Sequence, residues 1–191
     1  MPSKEQWSNS LTALAALLCM FMGFLLGRAF TGEAEANIER AICVFSGDMI
    51  SGFVTFATRA DGRLFLYGRL TGLEGVHGVH IHDYGNLGDD CRATGSHFNP
   101  LAMDHGHPAA AERHAGDLGN LNFTNRNAVL KSETTSFTLT GPLSVVGRSL
   151  VLHQRRDDLG LGGHAASLVN GASGERLACC VIAVDKQHSN P

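Results

Sequence analysis

The pattern of apolar and polar positions divides the chain into an apolar leader and a longer part built of short alternating runs. Residues 6–27 carry no charge, and their most apolar stretch is Leu11–Gly27. Its length lies between the roughly 7–15 residues of a secretory signal and the about 20 of a membrane-spanning helix. A buried core helix is less favoured because the stretch has no polar face. We expect residues 1–36 to be a signal peptide or an uncleaved signal anchor, with Ala34-Glu35-Ala36 as a candidate cleavage site.

Beyond the leader, runs of β-branched, aromatic and aliphatic residues are separated by Gly, Asp and Asn, and helical periodicity is nowhere sustained. Such runs predict β-strands, and eight of them in one domain of residues 37–191 favour an antiparallel sandwich or barrel. In Gly52–Thr58 apolar residues occupy both faces, so this run does not show which face is buried. The predicted strands are Ala41–Phe45, Gly52–Thr58, Arg63–Leu70, Val76–His82, Leu118–Phe123, Ala128–Ser132, Ser149–His153 and Leu177–Val184.

Two connecting segments, Asp83–Gly116 and Asp157–Glu175, are too long and too rich in glycine to be turns. Connections longer than about 12–15 residues without their own secondary structure are usually functional or disordered. The first segment contains four histidines and a cysteine, which favours an ordered loop.

Composition narrows the possible partners. The chain has 15 Lys and Arg against 18 Asp and Glu, a net charge of −3, and its only basic doublet is Arg155-Arg156, so we expect no binding to nucleic acid. Four of its five cysteines follow the leader: Cys43, Cys91, Cys179 and Cys180. An exported protein can keep disulfides, but four cysteines allow three complete pairings. Adjacent Cys179 and Cys180 are poor partners for each other because they point to opposite faces of a strand.

The ten histidines suggest metal chemistry. His80 and His82 lie two apart on a predicted strand, so that both rings leave from one face. His153 ends another predicted strand and could join them, and an imidazole-rich tetragonal site favours Cu(II).

A second set of candidate ligands lies around the first long segment. His97, His105, His114 and Asp117 follow one another at spacings of 8, 9 and 3. Three imidazoles and a carboxylate suit tetrahedral Zn²⁺, which would hold a loop that has little apolar content of its own.

Six motifs occur in order along the chain: GVHGVHIHDYG (75–85), CRATGSHFNP (91–100), HGHPAAAERHAGDLGN (105–120), GRSLVLH (147–153), DDLGLGG (157–163) and GERLACCVI (174–182). Together they closely resemble copper/zinc superoxide dismutase over about Ala41–Val184. The resemblance implies an all-β, eight-stranded antiparallel Greek-key β-barrel or sandwich. Its two long functional loops are the metal-binding loop and the electrostatic loop.

The resemblance also implies one copper and one zinc per subunit, bridged by His97 as an imidazolate. The implied copper ligands are His80, His82, His97 and His153. The implied zinc ligands are His97, His105, His114 and Asp117. The histidines not expected to bind metal are His77, His107, His164 and His188.

The implied reaction is the dismutation of superoxide to dioxygen and hydrogen peroxide by a redox-cycling copper, with His97 also acting as a proton shuttle. Arg176 matches the arginine that guides the anion. Asp157 matches a carboxylate that links a copper-ligand imidazole to a zinc-ligand imidazole. Cys91 and Cys179 match the family's intrasubunit disulfide.

The chain departs from the family pattern in two places. Ala165, Ala166 and Val169 replace two acidic residues and a lysine of many members, which predicts a weaker long-range field and a shallower dependence of the rate on ionic strength. Cys180 replaces a glycine, and it could be a small buried residue or a reactive or intermolecular thiol.

The resemblance further implies a homodimer whose interface lies near Tyr84-Gly85, Val146-Gly147 and Val184. The leader predicts a secreted protein, or a membrane-anchored one with the domain outside the cytosol. Asn122-Phe123-Thr124 is an N-glycosylation sequon whose occupancy is open.

Two rival functions are a non-catalytic dismutase-like scaffold, such as that of a copper chaperone, and a zinc hydrolase. The complete ligand set and Arg176 weigh against the first. The second lacks an H-E-x-x-H motif.

Overall fold

The structure of the protein is a computed structural model that describes residues 38–186, so the predicted leader lies outside the described residues. Within them, nine strands form two antiparallel sheets. The strands are β1 Arg40–Ser46, β2 Ser51–Thr58, β3 Leu64–Thr71, β4 Gly75–His82, β5 Asp117–Phe123, β6 Asn127–Thr134, β7 Ser149–His153, β8 Arg176–Val181 and β9 Ala183–Val184.

The two sheets pack face to face around one apolar core. Strands follow the order β6-β3-β2-β1-β9 in the first sheet and β5-β4-β7-β8 in the second. Pairs such as β3 with β6 and β4 with β7 join strands that are distant in sequence, which is the connectivity of a Greek key. The predicted all-β antiparallel class is confirmed, in the form of a sandwich.

The sequence does not show which face of β2 is buried, and the pairing of β2 with β1 decides it. Cys43 lies opposite Val54 and Ala41 lies opposite Phe56, and residues directly opposite in an antiparallel pair share one face. All four side chains are fully buried. Val54 and Phe56 therefore face the core.

The prediction of one final strand over Leu177–Val184 is wrong, because the chain changes sheets at Ile182. The amide of Ile182 donates to the carbonyl of Arg148, and its own carbonyl accepts from the amide of Gly147. Because its backbone is bonded to Gly147 and Arg148, Ile182 is not part of either strand. β8 before it pairs with β7 in one sheet, and β9 after it pairs with β1 in the other.

Two long connections, residues 83–116 and 154–175, cover the outer face of β4 and β7. Every residue of β7 is buried, as expected for a strand covered on both faces. The connections contain a 3₁₀ turn, Arg92–Thr94, and a short helix α1, Ala165–Asn170, that the sequence analysis does not predict. Six helical residues are too few to show a periodic pattern.

Candidate metal centre

Strands β4 and β7 bring three histidines to one buried place. His80 and His82 alternate with the core residues Val79 and Ile81, so both rings leave the outer face of β4. His153 ends the neighbouring strand. All three rings are almost completely buried beneath the long connections.

Backbone carbonyls decide which ring nitrogen of His82 and His153 is free. His82 Nδ1 lies 2.9 Å from the carbonyl of Gly95, and His153 Nδ1 lies 3.2 Å from that of Gly174. A carbonyl can only accept, so each Nδ1 carries the proton and each Nε2 keeps its lone pair. The two Nε2 atoms are 3.2 Å apart, which is the arrangement of two ligands aimed at one ion.

Asp157 sets the orientation of two further rings. One of its oxygens accepts from His80 Nε2 at 2.9 Å and the other from His105 Nε2 at 2.8 Å. Both rings therefore turn Nδ1 inward, and both Nδ1 atoms are buried with no hydrogen-bond partner in the described part of the chain. Asn120 holds Asp157 in turn, through two hydrogen bonds between its carboxamide and the Asp157 backbone.

His97 lies between two groups of side chains. The first set is His80, His82 and His153, and the second set is His105, His114 and Asp117. The ring centroid of His97 is 4.0 Å from that of His80 and 5.3 Å from that of His105. Its Nδ1 lies 3.0 Å from Asp117 Oδ1, whereas its buried Nε2 has no partner within residues 38–186. The two nitrogens of one ring thus face two different sets of donors.

Asp117 is the centre of the second set. Its Oδ1 lies 3.0, 2.9 and 3.2 Å from the Nδ1 atoms of His97, His105 and His114. The contact with His105 Nδ1 is close but is not a hydrogen bond, so that this nitrogen remains unpaired among the described residues. Three nitrogens crowded around one carboxylate oxygen fit ligands of a single cation.

Burial keeps the first set of rings neutral. It lowers the pKa of His80 and His82 well below the usual value, with help from the neighbouring His97, and it lowers the pKa of His153 to about 4. A neutral imidazole has the free lone pair that a metal ion requires.

For His105, Asp117 and Asp157, contacts with neighbouring groups outweigh the effect of burial on the pKa. Burial lowers the pKa of His105, but the carboxylates of Asp117 and Asp157 raise it more strongly, to about 9. Burial raises the pKa of Asp117 and of Asp157, yet contacts with the histidines hold both far below the usual value. Both carboxylates therefore stay ionised and supply negative charge to a cation.

The donors fit two metal ions. Ligand atoms of His80, His82, His97 and His153 lie within 4.8 Å of one another, and so do those of His80, His97, His105 and Asp117. His114 is not part of the second group so defined, although its Nδ1 lies 3.3 Å from that of His97. The unpaired buried nitrogens of His80, His97 and His105 are those that bound ions would satisfy.

A pocket of about 130 Å³ opens beside the first set, and Arg176 is its only charged lining residue in the part of the chain that the structure describes. The Arg176 guanidinium donates to the carbonyls of Cys91, Arg92 and Gly95. Gly95 also accepts from His82. The Gly95 carbonyl thus contacts both the Arg176 guanidinium and the His82 ring, and it couples the positions of the two. The pocket is lined by His82, Ser96, His97, His153, Val169, Asn170, Gly174 and Arg176.

The histidines not expected to bind metal lie outside both sets where the structure describes them. The ring nitrogens of His77 face the carbonyls of His153 and Glu74. His107 accepts from the amide of Ala109, and His164 accepts from the first turn of α1. His188 lies outside the described residues.

All four domain cysteines are paired. Cys91 and Cys179 form the disulfide that the resemblance implies. Cys43 and Cys180 form a second one, between β1 and β8. The alternative of a reactive or intermolecular thiol at Cys180 is wrong. The pairing could have been inferred by elimination, once Cys91 and Cys179 are joined.

Sequence reasoning also missed two residues that position Asp157. One is Asn120, and the other is Gly171, at which a Cβ atom would lie 1.9 Å from Asp157 Oδ1. Their roles depend on the packing of β5 and α1 against Asp157, so no local signal marks them.

Comparisons with known proteins agree with this geometry. The family profile described as copper/zinc superoxide dismutase matches residues 50–182. The chain is 45% identical over 76% of its length to a putative Cu-Zn superoxide dismutase of Orgyia pseudotsugata multicapsid polyhedrosis virus, and 42% identical over 75% to Cu-Zn superoxide dismutase A of Xenopus laevis. These matches cover 97% and 96% of those proteins.

Among solved structures, the crystal structure of "the clock protein EA4" matches with a TM-score of 0.78 and 40% identity, covering 81% of this chain and all of that one. Similarity in sequence and in fold therefore extends over the whole domain that carries both sets of ligands. We conclude that the chain belongs to the copper/zinc superoxide dismutase family and is an oxidoreductase of that family.

Proposed function

We propose that this chain converts superoxide to dioxygen and hydrogen peroxide with copper held by His80, His82, His97 and His153. Bound copper supplies the one-electron chemistry of 2 O₂⁻ + 2 H⁺ → O₂ + H₂O₂, and bound zinc supplies fixed positive charge. The observation that carries the proposal is the position of His97, which faces one set of donors with each ring nitrogen. The unpaired His97 Nε2 is the atom that can take up a proton and deliver it to the product.

We assign zinc to His97, His105, His114 and Asp117. His80 also lies near this set, but its Nε2 is bonded to Asp157, which leaves only Nδ1 for the copper group. The amides of Gly106 and His114 donate to Asp117 Oδ2. They leave Oδ1 to face the three imidazoles.

Arg176 attracts and orients the superoxide anion at the pocket. Burial lowers the pKa of Arg176, but an arginine stays charged at neutral pH. For charges about 6 Å apart at an effective dielectric constant of about 40, the Coulomb attraction is about 1.4 kcal/mol, or roughly tenfold in rate.

A dismutation assay on the copper- and zinc-loaded protein tests these roles. We expect His153→Ala to abolish turnover, because it removes a copper ligand, and Arg176→Ala to lower it roughly tenfold. His107→Ala is the matched control, because His107 is an exposed histidine outside both sets. A folded, fully metallated protein without activity would contradict the proposal and favour the non-catalytic scaffold instead.

We infer that the protein is a homodimer through the face that carries Tyr84, Gly147 and Val184. Gly85 packs against Gly147, whose amide bonds to Ile182 beside β9, so these regions are contiguous. Tyr84 and Val184 expose large apolar side chains there. Burying such a surface against a second copy removes it from water.

The oligomeric state, measured by light scattering, tests this interface. We expect Val184→Glu to yield monomers, because it places a charge in the apolar contact. Val129→Glu should leave the dimer intact, because β6 lies at the opposite end of the same sheet from β9. Dissociation by both variants, or by neither, would contradict the interface.

Export to an oxidising compartment is supported by the leader and by the two disulfides. Within residues 38–186, no helix has the length and apolar character needed to cross a membrane. N-terminal sequencing of the secreted protein tests cleavage after Ala36. Recovery of the full chain in the membrane fraction would favour the anchor instead.

A further inference from the structure

Asn122 is a polar side chain to which the catalytic function gives no role. Asn122-Phe123-Thr124 is the only N-x-S/T triplet in the 191 residues. Such a triplet is the acceptor sequence for N-linked glycans, which bond to the asparagine side chain.

The fold exposes the asparagine and the threonine of this triplet to solvent. Along β5 the buried residues Leu121 and Phe123 alternate with the exposed Asn122 and Thr124 at its end. Phe123 is 2% exposed and packs in the core. The Asn122 side chain has no hydrogen bond or ion pair among the described residues. A group attached to it would displace no hydrogen bond or ion pair among the described residues.

The position also leaves room for a large group. β5 and β8 are the two end strands of their sheet, so Asn122 lies across that sheet from β8, the strand that leads into β9 of the other sheet. It is five residues from Asp117 along the strand, or about 17 Å at about 3.4 Å per residue. A glycan there stays clear of the metal centre and of the proposed dimer face.

We propose that Asn122 is N-glycosylated, an inference that rests on the proposed export. The donor class is a lipid-pyrophosphate-linked oligosaccharide. Asn122 Nδ2 forms a bond to the anomeric carbon of its first sugar and loses a proton, while the bond from that carbon to the lipid pyrophosphate breaks. The glycan lies on β5, the end strand of its sheet, and shields this edge from contact with another chain.

The test is translation of the full chain with glycosylation-competent microsomes, with or without removal of N-glycans by an amidase. We expect one glycan on the unaltered chain and on Thr124→Ser, which keeps the acceptor sequence. Asn122→Gln and Thr124→Ala should carry none. Thr124→Ala is the sharper variant, because the acceptor asparagine stays in place.

An Asn-Gly-Thr reporter added after Pro191 distinguishes a failure of glycosylation at Asn122 from a failure of export. A modified reporter beside an unmodified Asn122 would overturn the glycosylation while export stands. A chain modified at neither site would overturn both. In the secreted holoenzyme, amidase treatment should leave the dismutation rate unchanged and increase aggregation on heating; unchanged aggregation would overturn the role at the edge.

Discussion

At the scale of single residues, the orientation of the metal centre depends on Asp157. Each oxygen of its carboxylate holds one imidazole, and such contacts fix both the tautomer and the direction of a ligand. Gly171 makes this position possible. It ends α1 at a φ of 61°, and an added methyl group would overlap with Asp157 and approach His105 Nε2 at 2.6 Å.

We predict that Gly171→Ala lowers zinc affinity by roughly 10–100-fold, because the methyl group displaces Asp157 and turns the His105 ring. Competition with a chromophoric chelator measures this affinity. The matched control is Gly163→Ala, at a φ of 72° with no atom within 4 Å of the added carbon. It carries the same backbone strain without the overlap, so equal losses in both variants would contradict the prediction.

At the scale of elements, the second long connection lines the pocket with uncharged residues only, namely Val169, Asn170 and Gly174. Val169 lines the pocket and is 63% exposed, and Leu161 and Leu168 of the same connection are also exposed. Positively charged side chains on such a rim would raise the local concentration of an anion over the about 8 Å reach of electrostatics at physiological salt.

We predict that Val169→Lys raises the rate at low salt about twofold and steepens its fall with ionic strength. A unit charge about 8 Å from the anion is worth about 0.5 kcal/mol in water. Rates over a salt series measure the effect. Val129→Lys is the control, because Val129 is 60% exposed but lies on β6, outside the pocket. Equal responses would show that net charge alone acts.

The Cys43–Cys180 disulfide is a second feature at this scale, because it ties β1 of one sheet to β8 of the other. We predict that replacing both cysteines by alanine lowers the free energy of unfolding by about 2–4 kcal/mol, since the unfolded chain gains freedom. Denaturant unfolding measures this loss. Under reducing conditions the two proteins should converge; a gap that persists would assign the loss to packing of the side chains instead.

At the scale of the whole molecule, metal binding and folding are coupled. The long connections cover β4 and β7 and converge on buried histidine rings. His80, His97 and His105 each have a ring nitrogen without a partner among the described residues. A ligand that binds only the folded state at a thousand times its Kd stabilises that state by about 4.1 kcal/mol.

We predict that chelation of both metals lowers the melting temperature, and that reloading restores it. Hydrogen exchange should show the loss of protection concentrated in residues 83–116 and 154–175, because the apolar core between the sheets keeps its packing. Calorimetry with exchange mapping measures both effects. Equal loss of protection in β2 and β3 would contradict a local role for the metals.

Much of this protein follows from local sequence. A period of two predicts the strands, and it also places His80 and His82 on one face, because successive residues of a strand point to opposite sides. The lengths of the two long connections are likewise readable, because no apolar period interrupts them. The motifs then identify the family.

What the sequence left open was decided by contacts between distant segments. Packing of the two sheets pairs Cys43 with Cys180, which are 137 residues apart. The carbonyls of Gly95 and Gly174 decide which ring nitrogens of His82 and His153 keep a free lone pair. The short period of a strand is a property of neighbouring residues, so sequence alone determines it. The direction of a lone pair depends on which atoms the fold brings against the ring, so only the tertiary structure could decide it.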